Sequence, residues 1–188
     1  LCLILVTPDA QRTMQTYLGT SINLGPEDID TDLIASAKIT YLEGYLWDPP
    51  RAKEAFVKAA RASHEAGRMV ALSLSDPFCV DRHRQEFLDL VDREVDVLFA
   101  NEYEIMSLYQ VPTFDDALRR VRGRPGIFAL TRCAKGSVIV TGDETHVINA
   151  EPVPAVVDTT GAGDAYAGGF LYGLTRHQDI VSSARIGS

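Results

Sequence analysis

The sequence predicts an α/β protein with a mostly parallel central sheet and helices packed on its faces. Short apolar segments of strand type alternate with longer segments in which apolar residues recur at helical spacing. Repeated strand–helix–strand units place successive strands parallel to each other in one sheet. Closely spaced apolar segments near the end of the chain depart from this alternation and can add an antiparallel edge.

The chain is predicted to open with a hairpin. Residues 1–7 are apolar, residues 8–11 have turn chemistry, and residues 12–19 supply the second strand. A short helix follows, with acidic residues after Pro26 at its start, where they favour the helix dipole, and with its end near Ala37.

The middle of the chain carries the strand–helix alternation. The predicted strands cover residues 38–44, 68–75 and 95–100. The predicted helices run from Pro49 to Gly67, from Asp81 to Glu94 and onward from Asn101. In the first of these helices, prolines at the start and a glycine at the end are typical boundary residues.

The last third of the chain begins with a predicted helix over residues 115–122. Predicted strands over 126–131, 137–142 and 145–150 follow with little chain between them. The apolar residues 154–157 are interpreted as the end of another strand, and the small and apolar residues after Asp164 as a buried helix.

The composition is that of a folded globular chain and argues against several classes of protein. Of 188 residues, 46% are hydrophobic and 23% are charged, and the formal net charge is −8. This negative charge argues against a nucleic-acid partner. No apolar run approaches the roughly 18 residues of a membrane span. The three scattered cysteines suggest neither a disulfide framework nor a zinc site, so a cytoplasmic setting is expected.

Residues 158–170, which read DTTGAGDAYAGGF, carry the clearest chemistry. Gly161 and Gly163 allow the backbone to approach a ligand closely, and the helix that follows offers amide groups and partial positive charge at its N-terminus. These features make an anion cradle, beside which Asp164 suits a base that takes a proton from an attacking hydroxyl. The alternative is a glycine-rich turn in which Asp164 caps the helix.

This segment resembles the carboxyl-terminal signature of the ribokinase-like (PfkB) carbohydrate and nucleoside kinases. The resemblance implies a ribokinase-like layered sandwich with remnants of a small β lid, and an ATP-dependent kinase that acts on a hydroxymethyl group. Asp164 matches the family's catalytic base. Asp158 and Thr160 match positions that in relatives help to hold a monovalent cation, with K⁺ as the candidate. The family's anion hole, which also contacts the nucleotide at its last residue, is matched by Gly161, Ala162 and Gly163.

The segment Asn101-Glu102-Tyr103-Glu104 follows a predicted strand and resembles the family's N-x-x-E motif. Asn101 and Glu104 lie one helical turn apart, so both side chains can face one ligand. An amide and a carboxylate there suit a hydrated Mg²⁺ that neutralises phosphate charge. Taken alone, the same residues would also suit the start of an N-capped helix.

The loop over residues 131–136 links two predicted strands and is similar to the family's T-x-G-x-x-G loop under the nucleotide phosphates. The resemblance implies that Thr131, Arg132 and Gly136 contact the nucleotide. Cys133 replaces the first glycine of that loop, which argues against a close backbone contact at Cys133, and Arg132 can supply side-chain charge instead. A polar hairpin turn is the alternative.

Two further segments lean toward the adenosine-kinase branch of the family. Arg12 resembles an arginine near the transferred phosphate, where it would stabilise developing charge; alternatively it is an exposed hairpin residue. Residues 41–46 resemble a strand end of the same branch, although a glutamate in this neighbourhood contacts the sugar in ribokinases. Glu43 is therefore expected to contact the substrate, whether this is a nucleoside or a sugar.

The whole chain, residues 1–188, is predicted to be part of a kinase domain that is truncated at both termini. Residues 1–19 would form a lid-adjacent hairpin, and residues 20–188 the α/β core with the nucleotide and catalytic motifs. The predicted reaction is the phosphorylation of adenosine to AMP by ATP and Mg²⁺. The alternatives are a ribokinase- or fructokinase-like sugar kinase and a non-catalytic nucleotide-binding module, and a homodimer is left open.

Overall fold

A computed structural model describes residues 1–188. The strands are β1 (Cys2–Val6), β2 (Arg12–Thr16), β3 (Ile39–Glu43), β4 (Met69–Ser73), β5 (Val97–Asn101), β6 (Ile127–Thr131), β7 (Ser137–Thr141) and β8 (Glu144–Ile148). The helices are α1 (Thr31–Ser36), α2 (Pro50–Glu65), α3 (Pro77–Arg93), α4 (Glu102–Tyr109), α5 (Phe114–Val121), α6 (Ala162–Thr175) and α7 (Ile180–Gly187). None of these helices combines the length and the apolar character that a membrane crossing requires.

The strands form a two-stranded ribbon and a six-stranded sheet with the order β3-β4-β5-β6-β7-β8. Strands β3 to β6 pair in parallel, and β7 and β8 add antiparallel pairs at one edge. The predicted α/β class, the mostly parallel sheet and its antiparallel edge are confirmed. β1 and β2 form the predicted hairpin, with Cys2 opposite Thr16.

Alternate strand residues face opposite sides of the large sheet, and each side has its own core. On one side, Leu72 and Leu98 pack with side chains of α2 to α5, among them Phe87. On the other side, Ala71 and Phe99 pack with side chains of α6 and α7. Burial of one large apolar side chain contributes roughly 1.5–3 kcal/mol. The two cores therefore hold helices on both faces, which gives a layered sandwich.

Close packing of α6 against α7 fixes the direction of α6. A Cβ atom on Gly169 would lie 2.6 Å from the Ile186 carbonyl oxygen, and one on Gly173 would lie 2.6 Å from Ser183 Oγ. Only glycine fits at these two contacts. The α6 backbone consequently lies against α7, and the N-terminus of α6 reaches the carboxyl edge of the parallel strands.

The expectation that residues 154–157 end a strand is wrong. The chain between β8 and α6 is irregular, and Val156 and Val157 are 56% and 79% exposed. Pro152 and Pro154 lack the amide hydrogen that a strand donates to its neighbour. No strand of this chain pairs with the segment.

Helix α3 begins at Pro77, earlier than the predicted start at Asp81. The Asp76 carboxylate accepts a hydrogen bond from the Cys79 amide at 2.9 Å, and Pro77 occupies the first helical position. The helix is kinked at His83, where φ is −123° and ψ is 23°.

The short helix predicted after Pro26 is split into two pieces. A 3₁₀ turn covers Pro26–Asp28, and α1 begins only at Thr31. Asp30 sets this start because its carboxylate accepts the amides of Asp32 and Leu33 at 3.0 and 3.1 Å.

Candidate active site

A cleft of about 260 Å³ lies at the carboxyl edge of the parallel strands. In open α/β sheets this edge is where ligands bind, because polar loops converge there. Residues from the ends of β3, β5 and β6 meet the start of α6 and two residues of β2, Arg12 and Met14, in this cleft. The predicted site residues that line it are Arg12, Glu43, Asn101, Glu104, Thr131, Thr160, Gly161, Ala162, Gly163 and Asp164.

The start of α6 presents backbone amides to the cleft. Gly161 is the N-cap residue in the left-handed conformation, with φ 72° and ψ 7°, a backbone that glycine adopts without strain. The Ala162 amide donates to the Thr159 carbonyl at 3.2 Å. The amides of Gly163 and Asp164 lie in the first helical turn, where no intrahelical acceptor exists. A Cβ atom on Gly163 would meet no atom within 4 Å, so the approach to this turn is open.

Asp164 is an exposed side chain in the first turn of α6, facing the cleft. The cap position belongs to Gly161, and no side chain caps the helix. The alternative in which Asp164 caps the helix is therefore wrong. A carboxylate beside unpaired amides is placed to accept a proton from a hydroxyl group that enters the cleft.

Arg12 reaches the cleft from strand β2 of the hairpin. Its Nη1 donates a hydrogen bond to Thr159 Oγ1 at 2.5 Å, which ties the hairpin to the turn before α6. Arg12 is exposed, as expected if it were only a surface residue of the hairpin. It is also the only basic side chain that lines the cleft. It can therefore act as a charged donor to a phosphate next to the amides of α6.

Asn101 and Glu104 form a reciprocal cap at the start of α4. Asn101 Oδ1 accepts the amides of Tyr103 and Glu104, both at 2.9 Å. In return, Glu104 Oε2 accepts the Asn101 amide at 2.8 Å, and Oε1 accepts Asn101 Nδ2 at 2.6 Å. The capping role that the sequence left open is thus present, and the two side chains still line the cleft.

Glu104 is only 5% exposed. Burial is the main cause that raises the pKa of Glu104 to about 7, and the negative charges of Asp76 and Glu43 also raise it. The hydrogen bond from the Asn101 amide lowers this pKa but does not outweigh the burial. Each Glu104 oxygen accepts one hydrogen bond and keeps a lone pair. No group of three or more His, Cys, Asp or Glu side chains is arranged to hold a metal directly. The remaining lone pairs of the Glu104 carboxylate suit an Mg²⁺ ion that keeps most of its water shell.

Asp158 and Thr160 lie in the turn that precedes α6. Asp158 Oδ1 accepts the Thr160 amide at 2.8 Å. The Thr160 side chain and this amide hold the pKa of Asp158 below its usual value, with a smaller effect from Arg12. The Thr160 hydroxyl lies near enough to Asp158 to favour its charged form. Thr160 Oγ1 is nevertheless buried and has no partner at hydrogen-bond geometry. Thr160 lines the cleft, whereas Asp158 lies outside it.

The loop between β6 and β7 is a hairpin turn with a short 3₁₀ segment, Cys133–Lys135. Thr131 lines the cleft, but Arg132 and Gly136 do not. The Arg132 guanidinium lies 4.3 Å from the ring centre of Phe114, and its Nε is 3.5 Å from Glu102 Oε2. These contacts hold Arg132 on the far side of the loop.

Gly136 serves packing in this structure. Its φ is 82°, and a Cβ atom there would lie 2.0 Å from the Ile148 carbonyl oxygen. Cys133, at the position of the family's glycine, also has positive φ, 49°. This left-handed backbone explains why glycine suits that position.

The residues at the end of β3 and after β4 add polar groups that the sequence did not single out. Ser73, Ser75 and Tyr45 line the cleft with Glu43. Burial raises the pKa of Glu43, and the negative charge of Asp164 across the cleft adds to this. The available signal was positional, since Ser73 ends the buried strand β4 and Ser75 lies two residues further along the chain.

A family model described as pfkB family carbohydrate kinase matches the chain over residues 1–188. The chain belongs to the pfkB family. Adenosine kinase of Saccharomyces cerevisiae is 30% identical over 201 residues, a match that covers 99% of this chain and 58% of that protein. The chain therefore spans little more than half the length of this curated relative.

Two solved structures are more similar to this chain in sequence. A probable sugar kinase from Rhizobium etli is 50% identical with a TM-score of 0.95, covering 99% of this chain and 57% of that one. An adenosine kinase from Sinorhizobium meliloti is 48% identical with a TM-score of 0.95, over the same shares of 99% and 57%. These matches confirm the ribokinase-like fold that the sequence predicted.

Proposed function

We propose that the protein is an ATP-dependent kinase that phosphorylates a primary hydroxyl group, with adenosine as the first candidate acceptor and AMP as the product. One observation carries this proposal. Asp164, the unpaired amides at the start of α6 and the Arg12 guanidinium converge in one cleft. A base, an anion cradle and a charged donor are the parts that phosphoryl transfer to an alcohol requires.

In the proposed reaction, Asp164 accepts the proton of the acceptor hydroxyl as its oxygen attacks the γ-phosphorus. The bond between that phosphorus and the bridging oxygen of ADP breaks, and ADP leaves. The amides of Gly161, Ala162 and Gly163 would stabilise negative charge on the transferred group. The Ala162 amide would first have to give up its hydrogen bond to the Thr159 carbonyl. Arg12 would add a charged donor beside them.

Asn101 and Glu104 would hold a hydrated Mg²⁺ through its water ligands. When bound, this ion neutralises charge on the nucleotide phosphates. The acidity of the cleft supports a need for such neutralisation, because Glu43, Glu104 and Asp164 line it together with one arginine. The chain's own contribution is to hold the Glu104 carboxylate in one orientation through the hydrogen bonds from Asn101.

Asp158 and Thr160 would hold a monovalent cation, with K⁺ as the candidate. The buried, unpartnered Thr160 oxygen and the nearby carboxylate are hard oxygen donors, which supports this assignment. Thr131, at the edge of the cleft, would contact the nucleotide. Arg132 and Gly136 would do so only if the loop moved away from Glu102 and Ile148.

The proposal is tested by ADP release from ATP in the full-length protein with adenosine, ribose and fructose as acceptors. Turnover with adenosine is expected, and Asp164→Asn should lower it by about 10²- to 10⁴-fold while ATP still binds. Asp115→Asn is the matched control, because Asp115 is also exposed in the first turn of a helix but lies outside the cleft. Normal turnover of Asp164→Asn would refute the assignment of the base.

A sugar kinase is the second candidate. It is favoured by Glu43, which lines the cleft and could accept a hydrogen bond from a sugar hydroxyl there. The names of the two solved relatives, adenosine kinase and probable sugar kinase, support both acceptors. Turnover with ribose or fructose but not adenosine would favour the sugar. Tight ATP binding without turnover of any acceptor would favour a non-catalytic nucleotide-binding module.

We further expect a reducing, cytoplasmic setting, which the three unpaired cysteines support. The proposed partners are ATP and one small acceptor molecule. A homodimer stays a prediction, to be checked by the molar mass of the full-length protein in solution.

A further inference from the structure

The segment after β4 makes an unusual turn at Ser75. Its φ is 70°, and the Asp76 amide donates to the Leu74 carbonyl at 2.9 Å, which makes Ser75 the centre of a γ-turn. A residue other than glycine is strained in this conformation by roughly 1–3 kcal/mol. Glycine would adopt the same backbone without that strain, so the hydroxyl of Ser75 can be removed by a glycine substitution that keeps the turn.

The Ser75 side chain connects two residues of the cleft. Its hydroxyl donates to Glu43 Oε1 and accepts the Tyr45 amide at 3.1 Å. The Tyr45 hydroxyl donates back to the Ser75 carbonyl at 3.2 Å. Three hydrogen bonds therefore join Ser75 to the residues on either side of Gly44.

Gly44 permits this close approach. A Cβ atom on Gly44 would lie 2.7 Å from the Ser73 carbonyl oxygen and 2.8 Å from that of Leu74. It would also lie 2.9 Å from Ser75 Oγ. The end of β3 and the γ-turn touch through backbone atoms, which is why a side chain as short as serine reaches Glu43.

Glu43 is consequently held through both carboxylate oxygens. Ser75 binds Oε1, and the Tyr41 hydroxyl donates to Oε2 at 3.0 Å. Both donors are neutral hydroxyl groups, and each oxygen keeps a further lone pair. The carboxylate and the half-exposed Tyr45 ring line the cleft that also contains Asp164.

We propose that Ser75 is a positioning residue, which orients the Glu43 carboxylate and the Tyr45 ring as the surface that binds the acceptor. The free lone pairs of Glu43 accept hydroxyl groups of the acceptor, and the Tyr45 ring packs against its apolar atoms. Such a surface takes a neutral, polyhydroxylated molecule. A phosphorylated acceptor is disfavoured, because Glu43 and Asp164 would repel its charge. The identity of the acceptor rests on the proposed function, whereas the orientation of Glu43 does not.

The test measures acceptor binding by calorimetry without ATP, using adenosine, ribose and fructose 6-phosphate with the full-length protein. Ser75→Gly keeps the backbone conformation but removes the hydroxyl, and Ser75→Ala removes it while keeping the strain. Both should weaken binding of the neutral acceptor by roughly tenfold, as a lost hydrogen bond to a charged group does. Glu43→Gln should weaken binding by a similar factor, and Ser75→Gly should add little to it in the double variant. ATP affinity should change less than twofold.

Gln110→Gly is the matched control, since Gln110 also has positive φ, 51°, but lies at the end of α4 outside the cleft. Its acceptor affinity should equal that of the unmodified protein. The proposal would be overturned if both Ser75 variants bound the neutral acceptor as tightly as the unmodified protein. It would also be overturned if the losses of affinity from Ser75→Gly and Glu43→Gln multiplied in the double variant, or if fructose 6-phosphate bound more tightly than the neutral acceptors. Failure of the unmodified protein to bind either neutral acceptor would also overturn it. Acceptor binding without ADP release would refute phosphoryl transfer and leave the role of Ser75 intact.

Discussion

Arg12 Nη1 and Thr159 Oγ1 are joined by a hydrogen bond of 2.5 Å, although the two residues stand 147 positions apart in the chain. The bond places a residue of the exposed hairpin beside the turn that leads into α6. Arg12 is the only basic side chain in a cleft that three carboxylates line. Positive side-chain charge at the proposed transfer point therefore depends on where the hairpin lies.

Replacement of Arg12 by methionine should lower kcat by about a hundredfold, because the lost donor acts on charge that develops in the transition state. The KM for ATP should change much less. Steady-state ADP release in the full-length protein measures both parameters. Arg119→Met is the control, as Arg119 pairs with Asp116 on the surface of α5. An unchanged kcat would show that Arg12 does not contact the transferred phosphate.

Much of the fold was predictable because the spacing of apolar residues along the chain distinguishes strands from helices. The parallel strands are buried on both faces and appear as short apolar runs, as in Val97–Asn101. The start of α6 was recognisable since glycines and an aspartate follow each other where a helix begins. The reciprocal cap of Asn101 and Glu104 was visible for the same reason, because all of its atoms belong to neighbouring residues.

Features that depend on contacts between distant segments could not be predicted from the sequence. Arg132 was expected at the nucleotide, but it stacks on Phe114 and faces Glu102, and no local pattern encodes that stacking. Ser75 was missed because its γ-turn becomes meaningful only when β3 lies beside β4. The apolar residues over 154–157 suggested a strand, but Pro154 and the nearby Pro152 disfavour strand pairing there.

Gly136→Ala should destabilise the protein strongly. The new Cβ atom would lie 2.0 Å from the Ile148 carbonyl oxygen, and φ at this position is 82°. Displacement of β8 and the backbone strain together should lower the free energy of unfolding by about 3 kcal/mol or more. Urea denaturation followed by circular dichroism provides the measurement.

Gly142→Ala separates the cost of backbone strain from the cost of the steric contact with Ile148. Gly142 also has positive φ, 54°, but a Cβ atom there would meet nothing within 4 Å. Only the backbone cost of about 1 kcal/mol should therefore appear. Equal losses in the two variants would show that the contact with Ile148 is relieved without cost.

Glu102→Gln should strengthen ATP binding. Glu102 Oε2 lies 3.5 Å from Arg132 Nε and 3.8 Å from Lys135 Nζ, so this carboxylate neutralises both cations of the loop. Without its charge, the two side chains are free to bind phosphate oxygens, and the KM for ATP should fall about three- to tenfold. Glu144→Gln, which removes a carboxylate paired with His146 on β8, should leave the KM unchanged. A higher KM in Glu102→Gln would mean that Glu102 itself supports the nucleotide site.

Glu43 should make the folded protein less stable as pH rises. Burial raises the folded-state pKa of Glu43 above the unfolded value of about 4.3, and Asp164 adds to the shift. The folded state then holds its proton more tightly than the unfolded state. Its contribution to stability is greatest below the unfolded pKa, declines as pH rises through the interval up to the raised pKa, and is constant above it. The difference in free energy of unfolding between the unmodified protein and Glu43→Gln reports on Glu43 and its interactions with Asp164 and Glu104, because titrating groups that do not interact with Glu43 cancel. Urea titrations from pH 4 to pH 8 should show that difference falling with pH, and a difference that stays level or rises would contradict a carboxylate held in a desolvated position.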